Sequence, residues 1–296
     1  MKNCFTFLIV AFVLMPSLLH AQAPGTDIYL MDYKMKDGRL QFGTMRNLTN
    51  RAGYDNQPFF LSRGEGLLFT VIGADGQADI YKCNFADYTL TQLTRTPESE
   101  YSPTLMPDGK HFSVVRVEKD SSQRLWKFPF AGGAPNLVLE KVKPVGYHAW
   151  IDANTLALFI LGKPNTLQVA DVRTGQTKTV GGNLGRALHK IPRREAFSFV
   201  HKVNEEQWII KSFDPKLSET KVLIKTLEGS EDCAWTPEGI LLSGSGSKFY
   251  QWDPKGKKEW LELANFAKLD LKNLTRIAVS PKGDRIAVVV NDQSTQ

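Results

Sequence analysis

The chain has 296 residues, with 37 lysines and arginines against 31 aspartates and glutamates, and a formal net charge of +6. Basic and acidic residues are interleaved, and the densest basic run (residues 255–260) is short, which is typical of a solvated hairpin and predicts no nucleic-acid partner. Of the three cysteines, Cys83 and Cys233 follow the leader. Their spacing indicates neither a disulfide framework nor a metal motif, so we interpret both as buried apolar residues.

Residues 1–21 have the pattern of a secretory signal peptide. Lys2 precedes the apolar run Phe5 to Leu14, and small residues follow up to Ala21, which is the order of the n-region, h-region and cleavage site. A membrane-spanning helix needs about 20 apolar residues, more than this run supplies. We therefore expect cleavage after Ala21, a periplasmic or secreted protein without a membrane span, and one domain over residues 22–296.

The mature chain begins with a stretch that recurs further on. TDIYLMDY (residues 26–33) is echoed by ADIYKCNF (residues 78–85). The second copy follows the apolar stretch FFLSRGEGLLFTV (residues 59–71), whereas only the leader precedes the first copy. The repeating unit therefore begins in its middle at the N-terminus.

Six tight turns mark the units of the repeat. They are Ser62-Arg63-Gly64, Pro107-Asp108-Gly109, Asp152-Ala153-Asn154, Pro192-Arg193-Arg194, Pro237-Glu238-Gly239 and Pro281-Lys282-Gly283. Their first residues are separated by 45, 45, 40, 45 and 44 positions. Proline presets the backbone of a turn, and glycine or asparagine accepts the positive φ that follows. A near-constant step of this kind indicates a repeat architecture.

An apolar or alternating strand is predicted before and after each turn. Further strands follow, such as ADIYKCN (residues 78–84) and TLTQLT (residues 89–94), and these runs are rich in β-branched and aromatic residues. No helical period appears beyond the leader, and residues 264–272 form a connector with at most one helical turn. Four antiparallel strands per roughly 45 residues form a propeller blade. The prediction is an all-β, six-bladed β-propeller of four-stranded blades.

The two ends of the chain are predicted to share one blade. The last unit has two strands, near residues 276–280 and at residues 285–290, and lacks a third and a fourth. TDIYLMDY and RLQFGTMRNLT (residues 39–49) are a third and a fourth strand without partners. The N-terminal strands would thus complete the last blade and close the ring, which removes two exposed sheet edges.

Three phrases resemble a known repeat. SPTLMPDGKHFSVV (residues 102–115) and AVSPKGDRIAVVV (residues 278–290) are similar to the P-x-W-S-P-D-G-x-x-I/L-A-F repeat of TolB-type propellers. QLTRTPESEYSPTLMPDG (residues 92–109) resembles the connector between blades of that family. The resemblance covers the mature chain and implies the propeller domain alone, without the α/β domain that precedes it in TolB.

No arrangement of residues in the sequence predicts catalysis or a cofactor. The one Ser/Gly cluster, GSGSK (residues 244–248), has the spacing of a hairpin and not of a nucleophile elbow. No phosphate-binding loop is present, and no histidine lies two to five positions from another. We therefore expect no bound cofactor or metal and no enzymatic activity.

Polar residues five to seven positions before the turns are predicted to meet at the mouth of the central channel. With neighbouring histidines and tyrosines, the candidate binding residues are Asp55, Asn56, Glu100, Tyr101, Tyr147, His148, Arg186, His189, Glu231, Asp232 and Arg276. Tyrosine and arginine are common interface anchors. The sequence favours a monomeric, non-enzymatic protein that binds a protein or peptide of the cell envelope through this mouth.

An enzyme remains the alternative reading. Hard oxygen ligands suit calcium, and Asp55, Asn56, Glu100, Glu231 and Asp232 could supply them in the channel of a small hydrolase or lactonase.

Overall fold

A computed structural model describes residues 24–291. The predicted leader, residues 1–21, lies outside this part of the chain. The described part is all-β apart from one short 3₁₀ helix, Ala267–Leu269, which confirms that the connector at residues 264–272 contains no more than one helical turn. None of its helices has the length and apolar character needed to cross a membrane.

The strands follow one another at short intervals. The first twelve are β1 (Thr26–Lys36), β2 (Arg39–Asn47), β3 (Tyr54–Phe60), β4 (Gly66–Ile72), β5 (Ala78–Asn84), β6 (Leu90–Gln92), β7 (Ser99–Leu105), β8 (His111–Val117), β9 (Gln123–Pro129), β10 (Asn136–Leu137), β11 (Val145–Trp150) and β12 (Thr155–Ile160). The others are β13 (Thr166–Asp171), β14 (Thr177–Gly182), β15 (Leu184–Lys190), β16 (Phe197–Lys202), β17 (Trp208–Asp214), β18 (Glu219–Lys225), β19 (Cys233–Trp235), β20 (Leu241–Ser245), β21 (Lys248–Trp252), β22 (Leu261–Asn265), β23 (Thr275–Val279) and β24 (Arg285–Asn291).

Four-stranded antiparallel sheets are the main unit of the fold. Four of them contain β7–β10, β11–β14, β15–β18 and β19–β22. The other eight strands form one connected sheet, in which β3–β6 and the set β23, β24, β1 and β2 are each antiparallel. A single parallel pair, Thr26 with Tyr54, links the two sets. This arrangement of strands matches a β-propeller and confirms the predicted fold class at that level.

The N-terminal hairpin, β1 and β2, lies against the C-terminal strand. β1 pairs with β24 from Thr26–Asn291 to Asp32–Arg285, and β2 covers the other edge of β1. Asp37 and Gly38 form the turn of the hairpin with φ of +50° and +73°. An Asp-Gly pair with positive φ at both residues matches the right-handed twist of the flanking strands.

The turns after the innermost strands repeat one hydrogen bond. In four of them a glycine with positive φ donates its N–H to the carbonyl oxygen three residues earlier, at 2.9 to 3.0 Å. These glycines are Gly64, Gly109, Gly239 and Gly283. In the turn at Pro192, Arg193 takes a φ of +60°, so this turn holds a left-handed residue without glycine.

The repeated Asp-Ile-Tyr stretch has a structural cause. Asp27 accepts a hydrogen bond of 2.9 Å from the Thr49 hydroxyl, which in turn accepts one from the Ile28 backbone N–H. Asp79 and Thr94 repeat this arrangement, with a hydroxyl-to-carboxylate distance of 3.0 Å. A buried backbone donor needs a partner. The threonine hydroxyl accepts the isoleucine N–H and donates to the aspartate, so the aspartate of a third strand and the threonine after a fourth strand occur together.

Apolar side chains fill the spaces between consecutive sheets. Leu125 of β9 and Leu158 of β12 belong to one buried cluster, and Leu167 of β13 shares another with Phe199 of β16. At the first of these two interfaces, the indole N–H of Trp150 in β11 donates to the hydroxyl of Ser113 in β8 at 2.9 Å. The core is thus a series of interfaces between sheets, with the innermost strands left to line the centre.

Candidate functional site: the central cavity

A cavity of ≈ 320 Å³ lies among the innermost strands. Its wall contains residues of β3, β7, β11, β15, β19 and β23, the first strand of each four-stranded set. Pro58, Pro103, Ala149, Ala234 and Ala278 make part of this wall small and apolar. We call the end of the cavity at the N-terminal ends of these strands the mouth.

The same position of each repeat lines the cavity at the mouth. In β15 it is the second lining residue, and in the other repeats it is the first. It is the fifth residue before the turn, namely Gln57, Ser102, Tyr147, Ala187, Asp232 and Arg276. Strand pairing shifts at or beside this position in β3, β7, β11, β15 and β23. Such β-bulges redirect side chains and are frequent next to functional sites. The bulges therefore decide which residues reach the cavity.

Left-handed backbone accompanies three of the bulges. The φ angles are +57° at Gln57, +53° at Ser102 and +49° at Arg276. For residues other than glycine, such conformations cost about 1–3 kcal/mol each and persist only where the surroundings hold them. At Gln57 the holding contacts are visible, because its side-chain oxygen accepts hydrogen bonds from Thr70 at 2.8 Å and from the Ser102 N–H at 2.7 Å.

Arg186 and Asp232 form a two-pronged ion pair at the mouth. The Arg186 Nε donates to Asp232 Oδ1 at 2.9 Å, and its Nη2 donates to the other carboxylate oxygen. Although burial opposes ionisation, the hydrogen bonds and charge of Arg186 hold the pKa of Asp232 below its ordinary value. Glu231 lies beside the pair and contacts Lys202 at 3.0 Å. Asp232 is therefore ionised at neutral pH, and both of its carboxylate oxygens accept hydrogen bonds from Arg186.

The two histidines of the wall are neutral. Burial lowers the pKa of His148 to about 3 and, as the main cause, that of His189 to about 4. His148 Nε2 lies 2.7 Å from the Ser113 hydroxyl, but Ser113 is fully buried and also accepts the Trp150 indole N–H. This serine–histidine contact is thus part of the packing and is not an accessible nucleophile–base pair.

Arg276 reaches across the cavity. Its Nη2 donates to the Tyr147 hydroxyl at 3.0 Å, and its guanidinium carbon lies 5.0 Å from the centre of the Tyr147 ring. The two residues belong to β23 and β11, whose sheets are separated by two others in chain order. Burial raises the pKa of Tyr54, and the charge of Arg276 opposes this rise. Tyr54 does not line the cavity and lies eight positions before its turn, one beyond the range counted in the sequence.

The predicted site residues divide into two groups. Those that line the cavity are Tyr147, His148, Arg186, His189, Asp232 and Arg276. Asp55, Asn56, Glu100, Tyr101 and Glu231 are not part of its wall. Asp55 is fully buried and pairs with Arg51 at 2.5 Å. Glu100 is fully buried and pairs with Arg116 at 3.0 Å, so neither side chain is available at the mouth.

The oxygen ligands considered for calcium are engaged elsewhere. Asp55, Glu100 and Asp232 each pair with a different arginine, and Asn56 donates to the Thr26 hydroxyl at 3.3 Å. Within residues 24–291, no group of three or more His, Cys, Asp or Glu residues is arranged to hold a metal ion. Cys83 and Cys233 are free and buried, which confirms their interpretation as buried residues.

The burial of Asp55 predicts a pH dependence of stability. Burial raises the pKa of Asp55 to about 6 from an ordinary 3.8, against the hydrogen bonds and charge of Arg51. Because the native state then binds the proton at a higher pH than the unfolded chain, the free energy of unfolding should rise as the pH falls from 7 to 5. This contribution should be about 1 kcal/mol over this pH range.

Urea unfolding of the wild type and of Asp55→Asn, each at pH 7 and pH 5, tests this expectation. The amide has a similar shape and does not titrate, so the variant should lose that part of the rise. Parallel pH profiles of the two proteins would contradict it.

Comparison with solved structures places the fold among known propellers. A putative TolB from Agrobacterium tumefaciens superposes with a TM-score of 0.71 at 15% identity, covering 91% of this chain and 99% of that one. A chain of a nidogen/laminin complex gives a TM-score of 0.59 at 11% identity, covering 90% of this chain and 98% of that one. An oligogalacturonate lyase from Vibrio parahaemolyticus gives 0.51 at 14%, covering 93% and 100%.

At these identities the likeness concerns the fold. The chain has a TolB-like propeller fold, as the repeat phrases indicate. The sequence matches no protein-family model and no curated protein.

Proposed function

We propose that this protein is an exported, monomeric, non-enzymatic propeller that binds a protein or peptide of the cell envelope at the mouth of its cavity. The ring would have six blades and would be closed by the N-terminal hairpin. Export depends on the signal-peptide pattern of residues 1–21, and N-terminal sequencing of the envelope-located protein should start at Gln22.

Ring closure is supported by the contacts on both sides of the shared blade. Met31 of β1 and Val288 of β24 lie in one buried cluster with Leu242 of β20. Ile28 of β1 and Phe69 of β4 lie in another. The set β23, β24, β1 and β2 thus packs against β19–β22 on one side and β3–β6 on the other. A sixth blade with two neighbours is what a closed six-membered ring requires.

The observation that carries the binding proposal is the cavity with Tyr147 and Arg276 at its mouth. Its volume of ≈ 320 Å³ lies at the lower end of about 300–1,000 Å³ for ligand pockets. Tyrosine and arginine are over-represented among residues that dominate interface energies. A wall of paired strands with a bidentate ion pair at its edge is also rigid, so little free energy would be lost in ordering it.

The structural relatives support a protein partner. One of the solved propellers with this fold lies in a complex of nidogen with laminin, and another is a putative TolB. We infer from this likeness, together with the expected export, that the partner is a protein or peptide of the envelope.

Affinity capture from native envelope extract tests the proposal. The wild-type bait is the mature chain, residues 22–296. A double-variant bait carries Tyr147→Ala and Arg276→Ala at the mouth. A control bait carries Val222→Ser, because Val222 is exposed on β18 away from the cavity wall. The expected result is one protein retained by the wild-type and control baits and lost with the double variant. Equal retention by all three baits would place the binding surface elsewhere.

An enzyme acting in the channel, a small hydrolase or lactonase with calcium, is the second candidate. The likeness to an oligogalacturonate lyase favours an enzyme of some kind, whereas the arginine-paired carboxylates offer calcium no ready ligands. Elemental analysis of protein dialysed against calcium separates the two readings. A stoichiometric ion whose removal abolishes hydrolysis of lactone or ester substrates would replace the binding proposal with the enzymatic one.

A further inference from the structure

The charged residues of the cavity wall do not balance. Arg186, Lys190 and Arg276 line it together with one acid, Asp232. The neighbouring Glu231, 3.7 Å from Arg186, is itself paired with Lys202 at 3.0 Å. His148 and His189 add no charge at neutral pH, because burial lowers their pKa to about 3 and about 4. The wall therefore has an excess of positive charge, which attracts an anionic group.

Arg276 is the strongest candidate to receive such a group. Asp232 is bound by both prongs of Arg186 and accepts a further hydrogen bond from the Arg276 backbone N–H. Among residues 24–291, no carboxylate forms an ion pair with the Arg276 guanidinium within 4.0 Å. The charge of Arg276 also acts on Asp232, but the hydrogen-bond partner of the Arg276 guanidinium is the Tyr147 hydroxyl, at 3.0 Å. A guanidinium binds a carboxylate more strongly than a neutral hydroxyl.

The backbone directs this side chain into the mouth. β23 shifts its pairing between Thr275 and Ala278, and Arg276 within the bulge has a φ of +49°. An unfavourable conformation at a bulge is retained only where the surroundings enforce it. The result is an arginine that extends over an opening whose wall is in part small and apolar.

We infer that Arg276 binds an acidic side chain of the peptide ligand and that Tyr147 gives up its hydrogen bond when the ligand enters. This inference rests on the function proposed above and narrows the partner to a peptide with an aspartate or glutamate at the contact. The carboxylate replaces the Tyr147 hydroxyl on the guanidinium, and the apolar wall below accepts an uncharged neighbouring side chain. Such binding should weaken with added salt.

Selection from a random peptide library tests the inference without a known ligand. Heptapeptides displayed with their C-termini fused to the phage coat are selected on the mature wild type, Arg276→Gln and Lys255→Gln. Lys255 is exposed and lies outside the cavity wall, so its substitution removes an equal charge away from the site. We expect enrichment of Asp or Glu with the wild type and Lys255→Gln, and none with Arg276→Gln. The best wild-type peptide should bind Arg276→Gln at least about tenfold more weakly.

The outcomes separate this inference from the proposed function. Peptides that compete with one another at the mouth but show no acidic enrichment would overturn the role of Arg276 and leave peptide binding intact. If the wild type selects no peptide at all, this inference fails, and the affinity capture described above decides separately whether the protein binds a folded protein of the envelope. Selection only from a library with free C-termini would assign Arg276 to an α-carboxylate and overturn the side-chain assignment. Arg276-dependent displacement of the selected peptide by trigalacturonate would point to an acidic saccharide instead.

Discussion

Deleting residues 27–49, the N-terminal hairpin, should abolish cooperative unfolding. The deletion removes five almost fully buried apolar side chains, Ile28, Leu30, Met31, Tyr33 and Leu40. Burial of such a side chain contributes about 1.5–3 kcal/mol, so the total loss is comparable with the net stability of a domain, about 5–15 kcal/mol. It also leaves β24 as an unpaired edge, which favours aggregation. Calorimetry and light scattering of the deletion variant measure both effects.

A circular permutant is the matched control for this deletion. Thr26 pairs directly with Asn291, so a short turn-forming linker can join the end of β24 to the start of β1. A chain that starts at Arg51 and carries residues 26–49 after this linker keeps every strand of the blade. It should unfold cooperatively near the wild-type temperature. A deletion variant with an unchanged melting transition would refute closure of the ring by the hairpin.

Replacing Arg116 by methionine should destabilise the fold by about 3–5 kcal/mol. Arg116 Nε donates to Glu100 at 3.0 Å, and its guanidinium carbon lies 4.4 Å from the centre of the Trp126 ring. Glu100 is fully buried, and its carboxylate would keep only hydroxyl partners, Thr96 at 2.5 Å and Thr94. A buried charge without its counter-ion accounts for the large cost.

Two comparisons test this explanation by urea unfolding. The double variant Arg116→Met, Glu100→Leu replaces the whole ion pair with apolar side chains and should recover most of the lost stability. Burial already raises the pKa of Glu100 in the wild type, so the cost of Arg116→Met should shrink at pH 5, where the carboxyl can take up a proton. A loss below about 1 kcal/mol at pH 7 would show that the pair stabilises no more than a surface ion pair.

The candidate site was only partly predictable from the sequence. Tyr147, Asp232 and Arg276 lie at the fifth position before a turn and reach the cavity. Asp55 and Glu100 lie at the seventh position, where both carboxylates are buried and paired with an arginine. The sequence does not distinguish these positions, because a bulge in the innermost strand interrupts the two-residue alternation on which such counting depends.

The sequence by itself determined the repeat, its turns and the complementary strands near the two ends. These are local properties, since proline and glycine preset turns and alternating apolar residues define strands. Only the tertiary structure decided that Arg276 and Tyr147, 129 positions apart, meet across the cavity while Asp232 neutralises Arg186. Such pairings depend on how the sheets are placed around a common centre and on where each bulge turns a side chain, and neither property is encoded in any short stretch of the chain.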